Sequence, residues 1–309
     1  MSEPLKPVYL EDKLAEVRSD GHQSYRSGSL PTWCPGCGYF SVAEGVTHAL
    51  NRLGTPVEDT VIVSGIGCAS RFPFFMDSYG FHTLHGRVLP VATGVKVANE
   101  KLTVLAVGGD GDAFAIGGGH IPHAARRNVD ITYMVFDNGV YGLTKGQTSP
   151  TSAYGFVTST SPYLNHDQPL NPLMMLLSYG ASWVGQAYAG KPHHLADMIE
   201  AAIAHRGFSY LHILSPCVTF DKTEKTYANL DVQVRDLPED HDATDRLAAM
   251  AEAERMDAPA MGLFYKASRP TLGDAMDDIA ARATGKVTGN GKDRKGGRNG
   301  KGRRRAKKK

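Results

Sequence analysis

The hydrophobic pattern predicts an α/β chain built on a doubly wound, mostly parallel sheet. Continuous apolar runs of strand length lie at 59–65, 101–112, 128–138, 181–188 and 208–216. They do not alternate apolar with polar residues, which is the mark of strands buried on both faces. Segments with helical spacing separate several of these runs, as crossover connections between parallel strands require. Glycine turns close the first two runs, at Gly65 and at Gly109–Gly111.

Taken in order, residues 1–30 are a polar extension that ends before Pro31. From Phe40 to Leu53, apolar Val42, Val46, Ala49, Leu50 and Leu53 share one helical face. DTVIVSG (59–65) and KLTVLAVGGDGD (101–112) each run from strand to glycine turn. A helix is expected over 117–127, and NVDITYMVFDN (128–138) is a strand ending at Asp137–Asn138. The polar stretch 143–168 reads as a long functional loop. ASWVGQAY (181–188), a helix over 192–205 and FSYLHILSP (208–216) complete a domain spanning 31–220. From 221 to 285 the pattern weakens to a polar segment and helices near 243–256 and 272–283, a helical extension suited to partner contact.

Charge is unevenly spread. From Lys286 to Lys309 twelve Lys and Arg face one acid, Asp293, so the chain's net +2 splits into +11 in the tail and −9 before it. Rich in glycine and lacking aromatics, the tail is expected to be disordered. It reads as a polyanion-binding arm or as a plain solvated extension, and without an aromatic to stack a base it is a poor nucleic-acid binder. No apolar run reaches the eighteen or so residues of a membrane span. The segment MSEPLKPVYLEDKLAEV has no apolar signal core, so a cytoplasmic protein is expected.

The four cysteines are Cys34 and Cys37 in WCPGCG, Cys68 in GIGC and Cys217 in SPC. Each falls in a turn or beyond a strand end, and strand ends of a parallel sheet converge on one edge. Thiolates are soft ligands that suit an iron–sulfur cluster or zinc, and the spacing alone leaves both open. A thioredoxin-like pair would use Cys34 and Cys37 but leave Cys68 and Cys217 idle.

Gly109-Asp110-Gly111 follows a strand, and Asn138 ends the next one, twenty-eight residues after Asp110. Two neighbouring strand ends would bring them to one crevice. Asp110, the Asn138 side chain and the Val140 carbonyl are the oxygen ligands a hard Mg²⁺ ion takes beside phosphate oxygens. Glycines 109 and 111 would admit a diphosphate close to the backbone. A dinucleotide-binding reading fits poorly, because Gly117-Gly118-Gly119 lies several residues past the strand end.

GDG closed by Asn at this spacing resembles the thiamine-diphosphate motif of transketolase-like and decarboxylase-like enzymes. WCPGCG, GIGC, HGR (85–87), ATG (92–94), the GDG–Asn motif and SPC, in that order over roughly 30–225, resemble the beta subunit of 2-oxoacid:ferredoxin oxidoreductases. The resemblance implies a [4Fe–4S] cluster on Cys34, Cys37, Cys68 and Cys217, and thiamine diphosphate with Mg²⁺ on Asp110, Asn138 and Val140. It places Gly65, Ile66, Gly67, Cys68, Gly109, Gly111 and Asp112 near the cofactor, with Gly142 and Thr144 at its diphosphate. His85 and Arg87 would touch phosphate or a substrate carboxylate.

The same resemblance implies oxidative decarboxylation of a 2-oxo acid. Electrons pass through the cluster to ferredoxin, coenzyme A takes the acyl group, and reverse carboxylation is open to a strong reductant. The glutamate that activates the cofactor lies, in this family, on a separate alpha subunit, so an obligate complex is expected. Arg71 can pair bidentately with a second carboxylate, and with the pocket residue Leu143 it favours 2-oxoglutarate over pyruvate or a broad substrate range. Two rivals stand beside this reading: a non-oxidative thiamine-diphosphate decarboxylase or synthase subunit, and a zinc-stabilised nucleic-acid-binding protein.

Overall fold

A computed structural model describes residues 25–220 and 225–284. The N-terminal residues 1–24 and the basic tail, where an extension and disorder were expected, lie outside the described residues. The chain divides into two compact units at Gly273–Asp274. The second, among described residues, consists of the greater part of one helix.

The first unit holds a sheet of eight strands, and its α/β, mostly parallel character is the one the sequence predicts. In chain order the strands are β1 (Thr60–Ser64), β2 (Tyr79–His82), β3 (Thr103–Gly109) and β4 (Ile131–Asp137), with β5 (Val140–Tyr141) and β6 (Gln147–Thr148) forming a separate small hairpin. Then come β7 (Trp183–Tyr188), β8 (Phe208–Leu214), β9 (Arg235–Asp236) and β10 (Ala260–Lys266). The sheet runs β2-β1-β3-β4-β8-β7-β10-β9, and β10 against β7 is its antiparallel pair. From β1 the chain turns outward to β2 and then returns to the other side at β3. That reversal makes the β1–β3 gap a topological switch point, where doubly wound sheets bind ligands.

Helices cover both faces: α1 (Tyr39–Arg52) and α6 (Pro192–Ala204) on one, α2 (Val88–Ala98), α4 (Ile121–Arg127), α5 (Pro172–Ser178) and α8 (Arg246–Ala253) on the other. Successive strand residues point to opposite faces, so Val61 and Val63 enter one core while Ile62 enters the other. Both layers are apolar, which is why the strands read as unbroken apolar runs. At the end of α4, Asn128 takes a left-handed conformation (φ 52°). Its Oδ1 accepts from Phe208 N–H at 2.9 Å and from the Ser182 hydroxyl at 2.6 Å, and its Nδ2 donates to the carbonyls of Arg269 and Pro270. One side chain thereby ties helix end, strand start and the C-terminal crossing together.

Two departures from the sequence reading matter. The stretch after Asp221, read as polar and helical, contains β10, which is buried in the main sheet beside β7. Its run AMGLFYK is interrupted by Gly262 at φ 130° and by a register shift between Leu263 and Tyr265, so no regular period marks it. The helix expected over 117–127 begins sooner and in pieces: a short α3 (Asp110–Phe114), a 3-10 turn (Ile116–His120) and then α4. α7 (Tyr227–Gln233) precedes β9, and α9 (Leu272–Ala283) ends the described chain. No helix among the described residues is long and apolar enough to cross a membrane.

Candidate active site

Four strands deliver their C-terminal ends to one edge: β1 brings Gly65–Cys68, β3 brings Gly109–Asp112, β4 brings Asn138 and the loop to Thr144, and β8 brings Ser215–Cys217. A cleft opens there. Ile66, Gly67, Cys68, His85, Gly109, Asp110, Gly111, Asp112, Asn138, Val140, Gly142, Leu143 and Thr144 line it, and so do Tyr39, Ala69 and Tyr141.

On the β1 side the cleft is organised by Asp112. Its Oδ1 accepts from the backbone N–H of Ile66 at 2.9 Å and of Gly86 at 2.8 Å, while Oδ2 is buried without a hydrogen-bond partner. Burial pushes its pKa up, and the two N–H donors partly oppose that. Gly65 stands behind this carboxylate; a Cβ there would collide with it. Gly65 therefore serves the close approach of Asp112 to the β1 turn instead of lining the cleft. Similarly, a Cβ on Gly111 would strike the Tyr141 ring, so this cleft-lining glycine also meets a packing need. His85 Nδ1, 3.9 Å from Asp112 Oδ1, is a second buried polar atom without a partner.

On the β4 side, Asn138 donates from Nδ2 to the Tyr39 hydroxyl at 2.9 Å and accepts at Oδ1 from Val140 N–H at 3.1 Å. The Val140 carbonyl accepts from Gly142 N–H. Amide and carbonyl oxygens have two lone pairs each, so both keep one for a cation. Asp110 is buried, with Asn138 N–H 3.4 Å from its Oδ1 and the Thr151 hydroxyl 2.9 Å from its Oδ2. Burial and the neighbouring Asp137 push the Asp110 carboxyl up to about 6. Burial alone would also raise Asp137, but Lys225 at 2.6 Å and His212 at 2.9 Å hold it well below the carboxylate range. Lys225 and His212 both contact Asp137, so among the described residues Asp110 is the buried carboxylate left without a cation in contact. A hard divalent cation beside Asp110, the Asn138 amide and the Val140 carbonyl would fit that deficit.

The cysteines come together near the same loop. Cys37 N–H donates to the Cys34 carbonyl, closing the CPGC turn. The Trp33 indole anchors the Cys68 carbonyl at 2.8 Å, and Phe220 N–H reaches Cys217 Sγ at 3.4 Å. Burial pushes the Cys37 thiol up to about 12, with the other three thiols adding to it, and Cys68 is raised by burial as well. Reactive redox thiols are depressed, so the raised Cys37 argues against a thioredoxin-like pair with Cys34. Among the described residues, no three His, Cys, Asp or Glu are grouped so as to hold a single metal ion.

Besides Gly65 and the cysteines other than Cys68, the expected Arg71 and Arg87 stand apart from the cleft lining. Arg71 follows Cys68 in a 3-10 turn (Ala69–Phe75), with its guanidinium close enough to ease the Cys68 thiol downward. Arg87 starts α2 and points its Nη1 to His120 at 3.2 Å. Conversely, Tyr39, Thr151, Asp137, His212 and Lys225 meet at the site although no motif marks them. Only Tyr39 had a cue, next to CPGCG. A larger cavity lies beyond Asp137 and Thr151. Leu170, Leu214, Leu230 and Phe264 face it, and its Gln186, His212 and Lys225 are already hydrogen bonded. The β1–β3 cleft, with unpartnered buried groups, is the better candidate.

Comparison with known proteins agrees with this geometry. Residues 65–213 match the family described as thiamine pyrophosphate enzyme, C-terminal TPP binding domain, and residues 217–281 match the family of the C-terminal part of the pyruvate ferredoxin oxidoreductase beta subunit. The chain is 46% identical over 199 residues to the 2-oxoglutarate oxidoreductase subunit KorB of Mycobacterium tuberculosis, covering 64% of this chain and 53% of that protein. It thus spans about half the length of that relative. It is 40% identical to the 2-oxoacid:ferredoxin oxidoreductase subunit beta of Saccharolobus solfataricus, over 76% of this chain and 81% of that one. A solved structure, 2-oxoglutarate:ferredoxin oxidoreductase from Magnetococcus marinus with 2-oxoglutarate, coenzyme A and succinyl-CoA bound, superposes with a TM-score of 0.82. Its identity is 49%, over 86% of this chain and 91% of that one. The chain belongs to the beta subunits of the 2-oxoacid:ferredoxin oxidoreductases.

Proposed function

We propose that this chain is the thiamine-diphosphate- and iron–sulfur-binding half of an enzyme that converts 2-oxoglutarate and coenzyme A to succinyl-CoA and CO₂, passing electrons to ferredoxin. One observation carries it: Cys68 and Cys217 approach the loop that bears the candidate cation ligands Asn138 and Val140. A Cβ built on Gly142 would lie 3.6 Å from Cys68 Sγ, 3.9 Å from Cys217 Sγ and 3.9 Å from Asn138 Nδ2. A non-oxidative enzyme has no use for thiols at that place, whereas an electron exit belongs there.

When bound, thiamine diphosphate supplies an electron sink as CO₂ leaves, and the cluster accepts electrons one at a time. Asp110, Asn138 and the Val140 carbonyl would hold Mg²⁺ at the diphosphate, with Gly142 and Thr144 beside it. Cys34, Cys37, Cys68 and Cys217 would hold the [4Fe–4S] cluster. Asp112, fixed by the Ile66 and Gly86 N–H groups, keeps its second oxygen for a donor on the ligand or the partner. Among the described residues, Asp110 and Asp112 are the cleft's carboxylates; with Asp110 on the cation and Asp112 held by the backbone, the activating glutamate would come from an alpha subunit.

The 2-oxoglutarate assignment follows the names of the Mycobacterium and Magnetococcus proteins and the chemistry of Arg71, whose guanidinium suits a second carboxylate, with Leu143 at the cleft mouth. The experiment is to purify the chain anaerobically with its alpha subunit and record visible and EPR spectra. A brown complex that bleaches on adding 2-oxoglutarate with coenzyme A is expected. A colourless zinc protein, or aldehyde release without bleaching, overturns the reading. In the same assay Arg71→Ala is expected to cut the preference for 2-oxoglutarate over pyruvate by roughly 10- to 100-fold, the worth of one charged hydrogen-bonded contact. An unchanged preference removes Arg71 from substrate selection.

A further inference from the structure

Behind Asp110 lies a buried polar chain that the proposed reaction does not yet use. Gln186 donates from Nε2 to the Ala260 carbonyl at 2.7 Å, which turns its Oε1 toward His212 Nδ1, also at 2.7 Å. His212 Nε2 is 2.9 Å from Asp137 Oδ2. Asp137 Oδ1 accepts from Lys225 Nζ at 2.6 Å and from Gly139 N–H at 2.9 Å, and the Thr151 hydroxyl stands 2.8 Å from that same oxygen. Thr151 Oγ1 is also 2.9 Å from Asp110 Oδ2. Gln186, His212, Asp137, Thr151 and Asp110 are all buried.

A hydroxyl has one proton to give. Asp137 Oδ1 is already supplied by an ammonium and a backbone N–H, so the Thr151 proton is more useful to Asp110 Oδ2. Spending it there ties down one carboxylate oxygen and leaves Oδ1 as the electron pair to offer. The backbone around Thr151 is itself fixed: Ser152 N–H donates to the Ser149 carbonyl, and the Ser152 hydroxyl donates to the Gly139 carbonyl at 2.6 Å. Thr151 therefore joins the loop after β6 to the ends of β3 and β4.

We propose that Thr151 is a positioning residue for the cation site, orienting Asp110 through a hydrogen bond, with Lys225 and the Gly139 N–H filling Asp137 Oδ1 and so turning the Thr151 proton toward Asp110. The inference rests on Asp110 being a ligand to a divalent cation at the thiamine diphosphate. Outer-shell partners of this kind orient ligands and raise their basicity. The Ser149 hydroxyl, 3.4 Å from the Thr151 hydroxyl, lies in the same loop.

The test is calorimetric titration of Mg²⁺ into the purified complex with thiamine diphosphate present, alongside thermal melting of each variant. Thr151→Val keeps the shape and removes the proton; it is expected to weaken Mg²⁺ binding roughly 10- to 100-fold, while Thr151→Ser stays within about threefold of the parent. Lys225→Gln, acting one step further back, is expected to weaken binding about three- to tenfold and covers the case in which Thr151→Val does not fold. In turnover assays the half-saturating Mg²⁺ concentration should rise by more than kcat falls. A folded Thr151→Val complex with the parent's Mg²⁺ affinity overturns the proposal, as does a Thr151→Ser complex as weak as the valine variant. A parent complex that binds no Mg²⁺ with thiamine diphosphate sinks the cation reading itself, a failure visible before any variant is made.

Discussion

Asp110→Asn is expected to abolish cofactor-dependent turnover and, at the same time, to make the cofactor-free chain more stable at neutral pH. Both effects come from one arrangement. Asp110 is buried near Asp137, and its carboxyl is raised to about 6 by burial and by that neighbour. A carboxyl whose folded pKa exceeds its unfolded value contributes stability below the unfolded pKa and loses it as pH rises through the folded one. Between about pH 4 and 6 the ionised Asp110 thus becomes a burden on the cofactor-free fold, on the order of 1–3 kcal/mol. Asparagine keeps the shape, can accept from Thr151 and has no charge to bury. A rise in Tm of about 2–6 °C at pH 7–8 is the corresponding size for a domain of this length. The proposed cation site loses its carboxylate in exchange. Since outer-shell changes alone cost 10- to 100-fold, a loss of roughly 10³-fold in Mg²⁺-dependent activity is the expected scale. Calorimetry of thiamine diphosphate with Mg²⁺, set beside melting of the cofactor-free variant, reads both. An Asp110→Asn variant that binds the pair like the parent would remove Asp110 from the cation site; one that melts lower without cofactor would show that the carboxylate stabilises the empty fold.

This opposition of stability and function explains which parts of the site are legible in the sequence. Asp110, Asn138 and Cys68 lie at strand ends, where a short apolar run followed by glycine announces the edge of a parallel sheet. Their convergence follows from the topology, because β1, β3 and β4 are neighbours in the sheet. The groups that make Asp110 usable announce nothing. Thr151 sits in a polar loop like any other threonine. His212 interrupts FSYLHIL as one polar residue in a strand, and Lys225 lies in a stretch whose pattern has faded. Each acts through a long-range hydrogen bond that only packing creates. The same holds for β10, whose bulge and Gly262 erase the period that would mark a strand. Asp112 and Gly65 show a subtler limit: the residues are legible as a site, but their relation, a carboxylate seated where a side chain would be, needs coordinates.

Cys68→Ser separates the two chemistries proposed to meet at Gly142, and ferredoxin reduction is where its effect should be greatest. A Cβ at Gly142 would lie nearer to Cys68 Sγ than to Cys217 Sγ, at 3.6 against 3.9 Å, so Cys68 is the thiol closest to that position. Its thiol is raised by burial, and a serine hydroxyl is harder still to ionise. The exchange therefore removes a soft anionic ligand and returns almost no donor in its place. Electron delivery to ferredoxin is expected to fall by more than about 100-fold, beyond the cost of an outer-shell change. Binding of thiamine diphosphate with Mg²⁺ should change little, because Asp110, Asn138 and the Val140 carbonyl are untouched. The informative measurement is the pair: an EPR spectrum altered or lost, with calorimetric cofactor binding preserved. Loss of both together would mean that the cluster holds the cofactor loop in shape, and the cysteines would then act chiefly as a structural clamp. Retention of both would place the electron exit elsewhere and leave the burial of these thiols beside the cofactor loop without a function. Only the split outcome makes Cys68 the point at which electrons leaving the substrate carbon pass out of this half of the active site.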